Sequence, residues 1–131
     1  LRKLKMKFGK AQEKHMTDYS KILRRDFKVP QFDRGAKHLM KSEWSDGSDY
    51  WLFTCSMVSQ CDPLFDSCYD NHDVASRLEK AGVIDGTCTN DSESCQMFVN
   101  FKSEKDGLAF LDRLNKYLVK KTETVREAAA Y

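Results

Sequence analysis

Proline, glycine and long apolar runs are scarce in this sequence of 131 residues. The two Pro and six Gly exclude a collagen-like protein and a Pro-rich or Gly-rich linker. No segment approaches the roughly 18 consecutive apolar residues of a membrane-spanning helix, so we expect no such helix. The chain is instead 40% hydrophobic and 32% charged, which suits one globular domain over 1–131, with 1–7 and 122–131 as candidate frayed tails.

Signatures of catalysis are also absent. The chain has three His, and it contains no Gly-x-Ser-x-Gly, no phosphate-binding glycine loop and no His-Glu-x-x-His. A nucleophilic Cys needs a His and an orienting acid, and only His72, close to Cys68 and Asp70, offers this combination locally. We therefore expect no catalytic residue and keep an enzymatic or metal site around His72 as the third hypothesis.

Charge is distributed unevenly along the chain. Residues 1–45 contain 13 Lys and Arg against 5 Asp and Glu, whereas 46–101 contain 2 basic and 10 acidic residues. Residues 102–131 are nearly balanced, with 7 basic and 5 acidic. Such polarity suits recognition of a charged partner or head-to-tail self-association. The alternative is that the two halves attract each other within one fold.

The spacing of apolar residues predicts six elements. In chain order they are a basic amphipathic helix at about 8–27, strands at 37–44 and 50–58, a helix at 74–81, a strand at 95–101 and a helix at 104–121. Residues 122–131 either extend the last helix or fray. Turn and cap residues support these bounds. Asp46-Gly47 suits a tight turn between the first two strands. Asp73 suits the N-cap and Gly82 the C′ position of the helix at 74–81, and Ser103 suits a capping box at the start of the last helix.

This order of elements predicts the α+β class. We expect a two-layer sandwich, in which helices pack on one face of a mainly antiparallel sheet of three to four strands. The strand–helix–strand passage over 50–101 would form a split βαβ unit. A ferredoxin-like arrangement, preceded by the N-terminal amphipathic helix, is therefore one candidate topology.

All five cysteines lie in the acidic middle of the chain, and an odd number cannot pair completely within one chain. Because no signal peptide is visible, we expect an intracellular location. We expect no cofactor. If these cysteines and the nearby His72 bind a metal, zinc is the expected one, because cysteine thiolates and histidine imidazoles are its usual ligands. The weak candidate ligands are Cys61, Cys68, His72, Cys88 and Cys95. Six residues separate Cys61 from Cys68 and Cys88 from Cys95. The paired cysteines of common zinc sites are separated by two to four residues, so this spacing is a weak match to them.

The basic N-terminal half supplies the candidate binding residues. They lie mostly off the apolar stripe of the first helix and would form an exposed positive face: Lys10, Lys14, Lys21, Arg24 and Arg25. The leading hypothesis is a non-catalytic interaction or regulatory module that binds a protein partner through charge-polarised surfaces. The alternative is binding of nucleic acid or another polyanion by this helix, since cations give sequence-independent affinity for phosphates.

Overall fold

A computed structural model describes residues 19–33, 38–56, 71–92 and 96–130. The elements in chain order are α1 (Tyr19–Ile22), β1 (Leu39–Glu43), β2 (Asp49–Ser56), α2 (Asn71–Lys80), β3 (Cys88–Asn90), β4 (Gln96–Phe101) and α3 (Glu104–Ala129). The four strands form one sheet in the order β1-β2-β4-β3, and all neighbouring strands are antiparallel. The predicted α+β class with a mainly antiparallel sheet is confirmed.

The split βαβ unit expected from the strands at 50–58 and 95–101 is wrong, because these strands, β2 and β4, are antiparallel neighbours. A split βαβ unit is formed instead by β2, α2 and the unpredicted strand β3. Both β2 and β3 are antiparallel to β4, which lies between them, so β2 and β3 run parallel to each other. The helix α2 lies in the crossover that joins them. The chain order differs from the βαββαβ order of ferredoxin-like folds, because here one edge strand comes first instead of last.

The register of the strands places alternate side chains on the face covered by helices. Phe53 lies opposite Leu39 on one side and Val99 on the other, and all three are buried. On β4 the buried face carries Met97, Val99 and Phe101. On the other face the apolar side chains are only partly covered, at Met40, Leu52 and Phe98.

The helix α3 supplies the largest apolar stripe of the core. Its buried residues recur at steps of three and four, namely Gly107, Phe110, Leu111, Leu114, Leu118, Thr122 and Val125. The ring of Phe110 lies 5.1 Å from that of Phe53 and 5.2 Å from that of Phe101, between centroids. The stripe continues through Thr122 and Val125, and the helix therefore extends to Ala129, beyond the predicted end at Lys121.

Ser103 is the N-cap of α3, as predicted, but only one of the two hydrogen bonds of the predicted capping box is formed. The Ser103 hydroxyl accepts a hydrogen bond from the backbone N–H of Asp106 at 3.2 Å. We expect Ser103→Ala to lower the free energy of unfolding by about 1 kcal/mol, because one N–H of the first turn loses its acceptor. Urea unfolding followed by circular dichroism measures the change. Ser103→Asp, which keeps an acceptor, serves as the control, and equal losses in both variants would contradict a capping role.

The end of α2 follows the prediction, but its start does not. Gly82 has a φ of +77° and its N–H donates to the carbonyl of Glu79, while the N–H of Val83 donates to Leu78. This is a Schellman motif, and it turns the chain so that Val83 is buried. The predicted N-cap role of Asp73 is wrong, since α2 begins at Asn71. The helix dipole favours a carboxylate anywhere in the first turn, so Asp73 indicates the helix start only approximately.

Short or polar elements are the hardest to predict. The strand β3 falls in the polar stretch 85–94, whose composition predicts a loop, and it is formed by pairing of Cys88–Asn90 with β4. Most of the predicted helix at 8–27 lies outside the described residues, and its predicted end is wrong, because α1 ends at Ile22 and the chain continues in turns bonded three residues apart. The end of the strand at 50–58 also lies outside the described residues. In the part of the chain that the structure describes, no helix is long and apolar enough to cross a bilayer.

Candidate functional site

A groove of about 760 Å³ lies between the C-terminal end of α2 and the middle of α3. Five cationic side chains line it: Arg77, Arg113, Lys116, Lys120 and Lys121. No acidic side chain is among the lining residues within the described ranges. We call this feature the basic groove.

Helical spacing brings these cations together. On α3 the lining residues recur at steps of three and four from Arg113 to Thr124, so they project from one side of the helix. This side of the groove is about 16 Å long, from eleven residues at a rise of about 1.5 Å each. Arg77 on α2 forms the facing wall.

The floor of the basic groove is apolar. Val83, which follows the Schellman turn, and Val125 on α3 are both buried and line the groove. The half-buried Tyr117 completes this floor, and the exposed Ala81 lines the groove beside it. The groove therefore combines an apolar base with cations around it, a composition that suits a ligand carrying both carboxylates and apolar groups.

Arg113 connects α3 to the segment that follows α2. Its Nε donates a hydrogen bond to the carbonyl of Val83 at 3.1 Å, and its Nη2 lies 3.6 Å from Oδ1 of Asp85. That distance is too long for a hydrogen bond, and the buried Nη2 has no hydrogen-bond partner within the described part of the chain. Hydrogen bonds from Thr87 lower the pKa of Asp85, with a smaller contribution from Arg113, so Asp85 is ionised beside this guanidinium. Arg113 therefore ties α3 to the segment that follows α2.

Lys116 and Lys120 point their charges to solvent. Both residues are exposed, and neither makes an ion pair with a carboxylate of the described segments. Because like charges at i and i+4 repel modestly, bringing an anion between them is favourable. Lys116 and Lys120 are therefore the groove cations most accessible to an approaching ligand.

The cations predicted from the sequence lie elsewhere. Lys21, Arg24 and Arg25 are exposed at the end of α1 and just after it, and Arg24 pairs with Asp26 at 3.0 Å. Lys10 and Lys14 lie outside the described residues. The structure therefore groups three of the five predicted cations in one short segment.

That segment and the basic groove lie on opposite sides of α3. Asn115 holds the connector after α1, because its side chain accepts from the N–H of Phe32 at 2.9 Å and donates to the Phe32 carbonyl at 3.1 Å. Thr124 lines the groove nine residues later, which is about two and a half helical turns, so the two side chains project in opposite directions. The cations after α1 therefore do not contribute to the basic groove.

Sequence reasoning missed all five groove cations. Four of them belong to the segment 102–131, whose charges nearly balance, and Arg77 lies in the acidic middle. The available signal was the recurrence of cations at steps of three and four from Arg113 onward. The contribution of α2 depends on how the two helices pack, which the spacing does not show.

The candidate metal ligands are not assembled by the described residues. Cys61, Cys68 and Cys95 lie outside them, as does the side chain of His72. Cys88 is half-buried at the start of β3, and burial raises the pKa of its thiol. No group of three possible metal ligands occurs in the segments that the structure describes.

Comparison of the chain with known proteins assigns no function to the basic groove. No family model, no curated protein and no solved structure matches this chain. The function must therefore be inferred from the chemistry of the groove, in which five cations on α2 and α3 lie around an apolar floor.

Proposed function

We propose that the chain is a non-catalytic interaction module that binds an acidic segment of a protein partner in the basic groove. One observation carries this proposal: five cationic side chains surround an apolar floor, and no acidic side chain lines the groove within the described ranges. The proposal keeps the leading hypothesis from the sequence, a protein partner and charge-polarised surfaces. It moves the binding surface from the first helix to the side of α3 that faces α2.

The apolar floor favours a protein segment over a phosphate polymer. Val83, Val125 and Tyr117 gain from contact with apolar side chains, because burial of apolar area is favourable at about 25 cal/mol per Å². A segment with Asp or Glu on one side and Leu, Phe or Trp on the other satisfies both the floor and the cations. Recognition of an amphipathic segment in a groove between helices is a common mode of peptide binding.

The exposed lysines support recognition that depends on salt. Charges at the rim of an interface mainly accelerate association and are screened by ions. Lys116 and Lys120 are at the rim, whereas Arg113 is already engaged by Val83 and Asp85. We therefore expect the two lysines to govern the association rate and Arg113 to maintain the groove.

The test measures binding of a labelled peptide that alternates Asp and Glu with Leu and Trp, by fluorescence anisotropy. The wild-type chain is expected to bind it more weakly as salt increases. Lys116→Glu/Lys120→Glu is expected to weaken binding at least about tenfold, which corresponds to about 1.4 kcal/mol. Because both residues are exposed, the free energy of unfolding should change by no more than about 0.5 kcal/mol.

The matched control is Lys21→Glu/Arg25→Glu, which changes the net charge equally on the opposite side of α3. We expect this variant to bind the peptide almost as the wild type does. Loss of binding in the control with retention in the groove variant would overturn the proposal and favour the cations after α1. Binding of single-stranded DNA with no binding of the peptide would favour the nucleic-acid alternative.

A further inference from the structure

We propose that a second copy of this chain supplies the acidic segment, through the tip of its β1–β2 hairpin, residues 43–49. The inference rests on the proposed function of the basic groove and identifies its partner. The tip carries three exposed carboxylates, Glu43, Asp46 and Asp49, beside the exposed indole of Trp44. This is the acidic and apolar composition to which the groove is complementary. Asp49 pairs with Lys41 at 3.1 Å, so Glu43 and Asp46 are the carboxylates that the inference uses.

Trp44 is the apolar part of this ligand. Its side chain is 46% exposed, although large apolar side chains are normally buried. One face of the indole stacks on Tyr50, with centroids 4.0 Å apart and an angle of 19° between the rings. The stack holds the indole in a fixed position at the end of the hairpin. Docking against Val83, Val125 and Tyr117 of another copy would remove this apolar surface from water.

Hydrogen bonds within the turn define the conformation of the tip. The N–H of Trp44 donates to the carbonyl of Ser48 at 2.8 Å, and the N–H of Gly47 donates to Trp44 at 2.9 Å. Oδ1 of Asp46 accepts from the N–H of Ser48 at 2.9 Å, and the hydrogen bonds from Ser48 lower the pKa of Asp46. The tip is therefore ordered and carries an ionised Asp46, which reduces the entropy lost on docking.

The tip and the groove are separate surfaces of one chain. The tip borders a depression that includes Asp106 in the first turn of α3, while the groove begins at Arg113 and runs away from that turn. Docking of the tip of one copy in the groove of another therefore produces open chains or closed rings, and the smallest ring is a two-fold dimer with two reciprocal tip–groove contacts. A tip of seven residues buries less than a standard interface, so we expect weak association that requires high protein concentration.

The test is sedimentation velocity of the full chain and of two complementary variants. The groove variant is Lys116→Glu/Lys120→Glu, and the tip variant is Glu43→Gln/Trp44→Ala/Asp46→Asn. The change at Asp46 keeps an amide oxygen that can accept from Ser48, so the turn is preserved. The average mass of the wild type is expected to rise with concentration and fall with salt. Each variant alone is expected to associate at least about tenfold more weakly.

A mixture of the two variants distinguishes head-to-tail docking from other association. The mixture has one intact tip and one intact groove per pair, so it should form heterodimers and nothing larger. Lys21→Glu/Arg25→Glu should associate as the wild type does. A wild type that stays monomeric at high concentration and low salt, or a mixture that does not associate, would overturn this inference.

The peptide measurement separates the two proposals. If the groove variant loses peptide binding while the wild type is monomeric, the partner is another protein, and only the second-copy inference fails. If the groove variant binds the peptide as the wild type does, the proposed function fails. Circular dichroism and urea midpoints of all variants show whether any loss of association comes from unfolding.

Discussion

Phe110→Ala is expected to lower the free energy of unfolding by about 3–5 kcal/mol, a loss typical of a large side chain removed from a packed core. The ring of Phe110 is fully buried between those of Phe53 and Phe101, on the two central strands of the sheet. Its removal leaves a cavity where α3 meets both strands, and a domain of this size is stable by only about 5–15 kcal/mol. Urea unfolding, followed by circular dichroism, measures the loss.

Val119→Ala on the same helix is the matched control. Val119 is 39% exposed, so its truncation should change the free energy of unfolding by no more than about 0.5 kcal/mol. Phe110→Leu keeps most of the volume and should have an intermediate effect. If Phe110→Ala and Val119→Ala had the same midpoint, α3 would not pack on the sheet as described.

Gly107→Ala is expected to destabilise the protein by about 1–3 kcal/mol, although alanine is the better helix former. A Cβ at Gly107 would lie 2.7 Å from Cδ1 and 3.0 Å from Cδ2 of Leu39 on β1. Leu39 is itself buried and has little room to move. The cost of this overlap exceeds the gain in helix propensity of about 1 kcal/mol. Thermal and urea unfolding of the variant measure the net change.

A double-mutant cycle tests the cause. In a Leu39→Ala background the overlap is gone, so adding Gly107→Ala should become neutral or stabilising by up to about 1 kcal/mol. Gly86→Ala is a control, because a Cβ there meets nothing within 4 Å. If Gly107→Ala costs the same in both backgrounds, close approach of α3 to β1 is not the reason that this position has glycine.

The long apolar elements could be predicted from the sequence because their patterns are strong. The charge-free run at 50–58 and the alternation of Met97, Val99 and Phe101 identify the two central strands. The strand β3 could not be predicted, because three residues carry no periodicity and form a strand only through pairing with β4. The start of α2 could not be predicted either, because several polar residues near it are suitable N-caps.

The candidate site could be predicted only in part. Charge counts along the chain indicate a polarised protein, but they average over all sides of a helix and hide the row from Arg113 to Lys121. Arg77 joins this row only because the turn at Gly82 brings the end of α2 against α3. That juxtaposition depends on tertiary packing, which no segment of the sequence specifies alone.

The strand order β1-β2-β4-β3 also determines the sequence in which the sheet can assemble. The β1–β2 and β3–β4 hairpins join neighbouring segments, whereas the central pairing joins Thr54 to Phe98 across more than forty residues. Contacts so distant along the chain form slowly, because a long loop must close first. Until that loop closes, the edge of β2 that will pair with β4 has free backbone N–H and carbonyl groups over Trp51–Cys55. This edge belongs to the most aromatic strand of the sheet. The newly made chain is therefore most vulnerable to aggregation at its future centre and not at its final edges.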